Sequence, residues 1–243
     1  MKKMLLVDGN SLFFRAYYAT AYTRMTTTSF GVPTNAVFGF ATMLNKALEL
    51  VEPQALVIAF DSGKKTFRHD QFEDYKGTRK ELPTELVQQF PIVREYCEAQ
   101  GYCFYQHDAL EADDIIGSLV KRYPDLDINV LSSDKDLLQL IDKTTSVWLM
   151  KKGLTEIEKM DEAALKEMWG LRPDQIPDLK GLMGDTSDNI PGLPGVGEKT
   201  ALKLLEEYGS VEGVLENVDK LKGKLKQTVE TYHEKATFSK WLA

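Results

Sequence analysis

Four short apolar runs constrain this chain most: MLLV at 4–7, ALVIAF at 55–60, INVL at 128–131 and VWLM at 147–150. Each is too short for a buried helix and rich in residues that favour a pleated, enclosed backbone, so each reads as a strand covered on both faces. YCFY at 102–105 is a weaker fifth. Helical periodicity fills much of the sequence between them, at 34–51, 86–100, 112–123 and 136–141. Strands separated by helices align side by side through crossover connections, so the expected class is α/β, a mostly parallel central sheet flanked by helices. Beyond Arg172 the pattern turns helical without a convincing strand, at 173–182, 199–208, 211–215 and 226–242. The expected organisation is a core over 1–172 and a helical region over 173–243, with no flexible linker between them.

Several function classes are excluded by composition. Cys97 and Cys103 form no CxxC pair and no Cys/His cluster, so neither a disulfide framework nor structural zinc is indicated, and a reducing cytoplasm fits. The first apolar run stops at Asp8 and Gly9, too short for a signal-peptide core or a membrane span. A net charge of −7 disfavours a nucleic-acid partner until its distribution is considered. Setting aside nine of the 37 acids, namely Asp8, Asp61, Glu111, Asp113, Asp114, Asp134, Asp136, Asp185 and Asp188, leaves 28 against 30 bases.

Those nine are placed unusually. Asp8, Asp61 and the Asp134–Asp136 pair each follow one of the strong strands. In an open parallel sheet the crevice beyond the strand C-termini is the usual ligand site, so acids far apart in sequence converge there. A single Asp after a strand is equally a turn residue. Glu111, Asp113 and Asp114 open the helix at 112–123, where the dipole favours an acid by about 0.3–1 kcal/mol, enough to account for one or two. Six carboxylates in one crevice call for cations between them. With no His or Cys in the set, the donors are oxygens and select hard ions such as Mg²⁺ or Mn²⁺. His69, His107 and His233 are scattered and read as surface or boundary residues.

Two further elements suit nucleic acid. IPGLPGVGEKT at 190–200 leads into a helix, and Gly192, Gly195 and Gly197 followed by Lys199, Thr200 and Lys203 form a helix-hairpin-helix pattern whose amides can hold a phosphate without reading a base. A tight turn is the plain alternative. Lys220, Lys222, Lys224 and Lys226 extend a phosphate track or form a solvated face. The segment 63–82 interleaves Lys64, Lys65, Arg68, Lys76, Arg79 and Lys80 with Phe67, Phe72 and Tyr75, a mixture suited to a single strand or to a surface insertion anchored by its rings.

Taken together, LLVDGN at 5–10, AFD at 59–61, YKGTR at 75–79, EADD at 111–114, SDKD at 133–136 and 184–197 resemble, in order, the motifs of the 5′-nuclease family. That family comprises the flap endonucleases and, most similar, the N-terminal 5′ to 3′ exonuclease region of bacterial DNA polymerase I. The resemblance spans essentially the whole chain. It implies a helical arch over about 63–90, a helix-hairpin-helix that grips duplex DNA and holds K⁺, and two Mg²⁺ ions for which Mn²⁺ substitutes. By position Asp8, Asp61, Glu111, Asp113 and Asp134 or Asp136 resemble ligands of the first ion, with Asp114 beside them, and Asp185 and Asp188 those of the second. Arg15, Lys76 and Arg79 match bases that contact the scissile phosphate, and Tyr75 matches a ring that stacks on the displaced base. The implied function is Mg²⁺-dependent 5′ to 3′ exonuclease and flap endonuclease cleavage of DNA at a 5′ flap, 5′ end or nick, as in primer removal and repair. The implied setting is a monomer in the bacterial cytoplasm near the nucleoid, with a C-terminal polymerase domain in a longer native chain. An RNase with the same acidic crevice and a DNA-binding module with a structural ion remain the competing classes.

Overall fold

The structure is a computed structural model, and it describes residues 1–21 and 26–243. In chain order the first elements are β1 (Lys3–Asp8), α1 (Gly9–Thr20), α2 (Asn35–Val51), β2 (Ala55–Asp61), α3 (Phe67–Gln71), α4 (Thr84–Val87), α5 (Phe90–Ala99), β3 (Cys103–His107), α6 (Ala112–Arg122) and β4 (Asp127–Ser132). There follow a 3₁₀ turn at Asp136–Leu140, β5 (Thr145–Met150), β6 (Ile157–Met160), α7 (Glu162–Trp169), α8 (Ile176–Met183), α9 (Glu198–Tyr208), α10 (Val211–Glu216) and α11 (Gly223–Leu242). These divide into two compact units, Met1–Thr66 with Glu81–Asp161, and Phe67–Lys80 with Glu162–Ala243.

The first unit is built on a six-stranded sheet ordered β3-β2-β1-β4-β5-β6, parallel except for β6, which pairs antiparallel with β5. β1 and β4 are buried along nearly their whole length, which is why, buried Asn129 apart, their central residues are apolar on both faces rather than alternating. Strand order reverses between β1 and β4, and at such a switch the connecting segments leave in opposite directions and open a crevice at the strand ends. Under one face lie Phe13, Phe40 and Phe60, packed edge to face or tilted with ring centroids 6.1 to 6.5 Å apart. Gly9 is demanded by that packing, since a Cβ there would lie 2.2 Å from the Phe60 ring.

The expected helix at 86–100 is divided into α4 and α5. Pro91 lacks an N–H and enters at the first turn of α5, so the helix restarts there. Fully buried Gln89 at the break accepts from the Ala36 and Val37 amides with Oε1 and donates to Asn35 Oδ1, tying the break to the start of α2. The structure adds α1, α7 and β6, which the periodicity does not single out. Within 63–89 the helical residues are those of α3 and α4, five and four residues long, so the expected helical arch segment carries its helix in two short pieces. Gly77, Pro83 and a left-handed Lys76 (φ 57°) interrupt it.

The second unit is helical apart from a short bridge between Asp185 and Ile190. α8 and α11 pack closely across Gly181, where a Cβ would meet the Ala236 carbonyl at 2.9 Å. Tyr75, Ile190 and Leu242 form a small core, with Phe72 and Phe238 against it. Asp178, 4% exposed, accepts from the Val211 amide and pairs with Lys240 at 2.6 Å, so α8, α10 and α11 share one buried charge pair. Among the described residues no helix is long and apolar enough to cross a membrane.

Candidate active site

In the first unit the acids collect at the C-terminal edge of the sheet, on either side of the switch point. Asp8 is the last residue of β1 and caps α1, its Oδ1 accepting from the Ser11 amide at 2.9 Å. Its Oδ2 accepts from Ser132 Oγ at 2.6 Å, at the end of the neighbouring β4. The same Ser132 oxygen accepts from the Asp134 amide, which sets Asp134 beside Asp8. Burial, and then the charges of Asp134 and Asp61, push the Asp8 carboxyl up from 3.8 to about 7, against the lowering effect of its bonds from Ser132 and Ser11.

Asp61 ends β2, and its Oδ1 accepts from the Ala112 amide at 2.8 Å, the first amide of α6. Glu111 and Asp114 cap the same terminus reciprocally, with the Glu111 amide donating to Asp114 Oδ2 at 3.0 Å. Asp113 lies half-buried in that first turn. Asp134 Oδ1 accepts from the Asp136 amide, so this pair forms one local turn. The dipole of α6 stabilises an acid or two at its start, but Asp8 and Asp134 lie on other elements and gain nothing from it.

Asp185 and Asp188 belong to the second unit. Gly184, at φ 72°, ends α8, and mutual backbone bonds between Asp185 and Ile190 close the turn. Asp185 pairs with Lys180 and accepts from the Ser187 amide at 2.7 Å. Burial raises its pKa, but the bonds from Lys180 and Ser187 outweigh that and hold it below the usual carboxylate range. Asp188 pairs with Arg79 at 2.6 Å. The backbone of Lys76 donates to the Asp188 carbonyl at 2.9 Å, and Asn189 Nδ2 donates to the Asp74 carbonyl at 2.7 Å, so basic segment and acidic turn are stitched together.

The nine acids therefore form two sets in two units. Among the described residues no three His, Cys, Asp or Glu side chains close on one point as an ion cage, because these carboxylates turn to nearby N–H and O–H donors or to cations of the chain. The chemistry of the first set nonetheless fits a hard cation: oxygens only, one pair of them on the Asp8 carboxyl, which burial first and then the charges of Asp134 and Asp61 push up.

The other expected residues divide. Arg15 lies two turns along α1 from Asp8 and gives its Nε to the Gly153 carbonyl at 3.3 Å, in the β5–β6 turn. Lys76 and Arg79 are brought to Asp188. Tyr75 is 4% exposed, with its hydroxyl toward Asp188 Oδ2 and its ring against Ile190, Leu242 and His69, so in this structure it packs as a core anchor of the second unit. Gly192 is likewise a packing residue, because a Cβ there would lie 2.2 Å from the Gly184 nitrogen. Gly195 and Gly197 are exposed and face open space, as are Lys199 and Lys203 on α9, and Thr200 is half-buried. Sequence reasoning missed Ser11, Ser132 and Lys180, all of which hold acids. Ser132 directly precedes the Ser133–Asp134 motif, and Lys180 lies five residues before Asp185.

Comparison with known proteins decides the lineage. Residues 3–170 match the 5′-3′ exonuclease N-terminal resolvase-like domain, and residues 171–243 match the 5′-3′ exonuclease C-terminal SAM fold. The chain belongs to the 5′-3′ exonuclease family. It is 49% identical over 245 residues to DNA polymerase I of Bacillus caldotenax and, over the same length, of Bacillus subtilis (strain 168), covering 100% of this chain and 28% of each relative. It thus spans under a third of the length of those relatives. Among solved structures, bacteriophage T5 5′-exonuclease with bound zinc superposes with a TM-score of 0.80 at 22% identity, covering 99% of this chain and 89% of that one. A T5 flap endonuclease in a pseudo-enzyme-product complex with DNA and metal ions gives 0.80 at 21%, covering 99% and 88%. The mostly parallel sheet of this exonuclease-family chain and its C-terminal helical fold agree with those expected for the class.

Proposed function

We propose that this chain hydrolyses DNA phosphodiesters at or near a 5′ end, including 5′ flaps and nicks, in a divalent-ion-dependent reaction. The observation that carries the reading is the buried Asp8 carboxyl at the switch point, close enough to Asp61 and Asp134 to feel both charges, in a sheet that lies within the stretch matching the 5′-3′ exonuclease family. Asp8, Asp61, Glu111, Asp113, Asp114, Asp134 and Asp136 supply the oxygens for one Mg²⁺ or Mn²⁺, and Asp185 and Asp188 those for a second. Such ions, when bound, lower the pKa of a water and neutralise the leaving oxygen.

The chain's own residues do the rest. Ser11 and Ser132 orient the Asp8 carboxylate, and the α6 terminus orients Asp61. Lys76, Arg79 and Arg15 hold the phosphate that is cut. The open amides about Gly195 and Gly197, with Lys199, Thr200 and Lys203, hold a duplex phosphate, and K⁺ sits at that hairpin. The 28% share of the DNA polymerase I relatives supports a nuclease region joined to a polymerase domain. That region acts as a monomer in the bacterial cytoplasm at the nucleoid, in primer removal and repair.

The test is a 5′-labelled flap substrate incubated with purified chain and Mg²⁺. Short labelled products that vanish in chelator are expected. An uncut flap, equal cutting in chelator, or a strong preference for RNA overturns the reading.

A further inference from the structure

Each acid of the second unit's turn faces a cation of the same chain. Asp188 faces Arg79, whose side chain is 46% exposed. Asp185 faces Lys180, and there both side chains are only 14% exposed. Asp185 Oδ1 is filled by the Ser187 amide and hydroxyl, and the Asp188 amide lies 3.3 Å away. The remaining oxygen, Oδ2, is the one Lys180 takes. Backbone geometry fixes the pair, since Lys180 lies in the last turn of α8, Gly184 stops that helix, and the Asp185–Ile190 bonds close the turn.

We propose that Lys180 is a built-in competitor for the divalent ion at Asp185, occupying the carboxylate oxygen that the ion needs and so setting that site's affinity low. This rests on the reading of Asp185 and Asp188 as ion ligands. An ammonium and a divalent cation on one oxygen repel, and the mostly buried Lys180 must give up its partner before an ion can settle. The ion at Asp185 then binds in a higher concentration range than the one at Asp8, whose carboxylate accepts from the Ser132 hydroxyl and the Ser11 amide and, among the described residues, faces no ammonium or guanidinium.

The probe is Mn²⁺, counted by electron paramagnetic resonance of the unbound ion, titrated into the chain without DNA. Asp185→Asn is expected to remove the weaker class of sites. Lys180→Met, which keeps the apolar stem, is expected to tighten that class by about tenfold or more, a charge effect of the size a lost cation produces. Lys180→Gln, which keeps a donor without the charge, is expected to fall between, and it carries the test if thermal melts show the Met variant unfolded. Unchanged or weaker binding in both Lys180 variants overturns the proposal while leaving the ion-ligand reading intact. Retention of every Mn²⁺ class by Asp185→Asn overturns both.

Discussion

Replacing Asp8 by Asn tests whether the crevice is a site of stored charge. The carboxyl is 5% exposed and titrates near 7 instead of 3.8, chiefly through burial and then through Asp134 and Asp61. At about 1.4 kcal/mol per pH unit, that difference amounts to on the order of 4 kcal/mol held against folding once the group is ionised. Asn keeps the cap on the Ser11 amide but forces the Ser132 hydroxyl to turn its proton elsewhere, which costs about 1 kcal/mol. The net gain of roughly 3 kcal/mol corresponds to a rise in Tm of about 5–10 °C for a chain of this size. The sign fixes the window. Between about pH 4 and pH 7 the folded state binds the extra proton, so wild-type stability falls as pH rises through that range and levels off above it. Thermal melts in chelator are therefore expected to favour Asp8→Asn most at pH 8 and hardly at all at pH 4. Mg²⁺ should raise the wild-type Tm more than the variant's, while the variant cuts no flap. Equal melting temperatures at pH 8, or a gap that does not change with pH, would refute the reasoning.

Gly192→Ala should lower stability by about 3 kcal/mol or more, since its Cβ meets backbone at 2.2 Å and its φ is 56°. Gly195→Ala, with open space at φ 77°, should cost only about 1 kcal/mol yet weaken duplex binding, and denaturant melts beside DNA titrations separate the two. Tyr75→Ala should destabilise by about 3–4 kcal/mol because the ring is buried, whereas Lys76→Ala should leave the melt nearly unchanged and slow single-turnover cleavage about a hundredfold. Equal melts for the Tyr75 and Lys76 variants would return Tyr75 to the surface.

The four strong strands, the helices at 34–51, 112–123 and 199–208, and the acids at strand ends are written in the sequence, because they follow from periodicity within a few residues and from the rule that parallel strands point their C-termini one way. α1 escapes that reading: it starts at Gly9 with no gap after the strand and carries Phe13, Phe14, Tyr17 and Tyr18, poor helix formers retained because the sheet buries Phe13 and Tyr17. β6, with Glu158 and Lys159 at its centre, is an edge strand given by pairing with β5. Only the tertiary structure could show that Tyr75 turns inward while Lys76 beside it takes a left-handed backbone, that Gly192 serves packing while Gly195 stays open, and that Lys180 and Arg79 face Asp185 and Asp188. Each of those depends on a neighbour distant in sequence or folded back across a turn. The carboxylates could be named from the chain alone, but the cations and hydroxyls that set their charge appear only when the chain is folded.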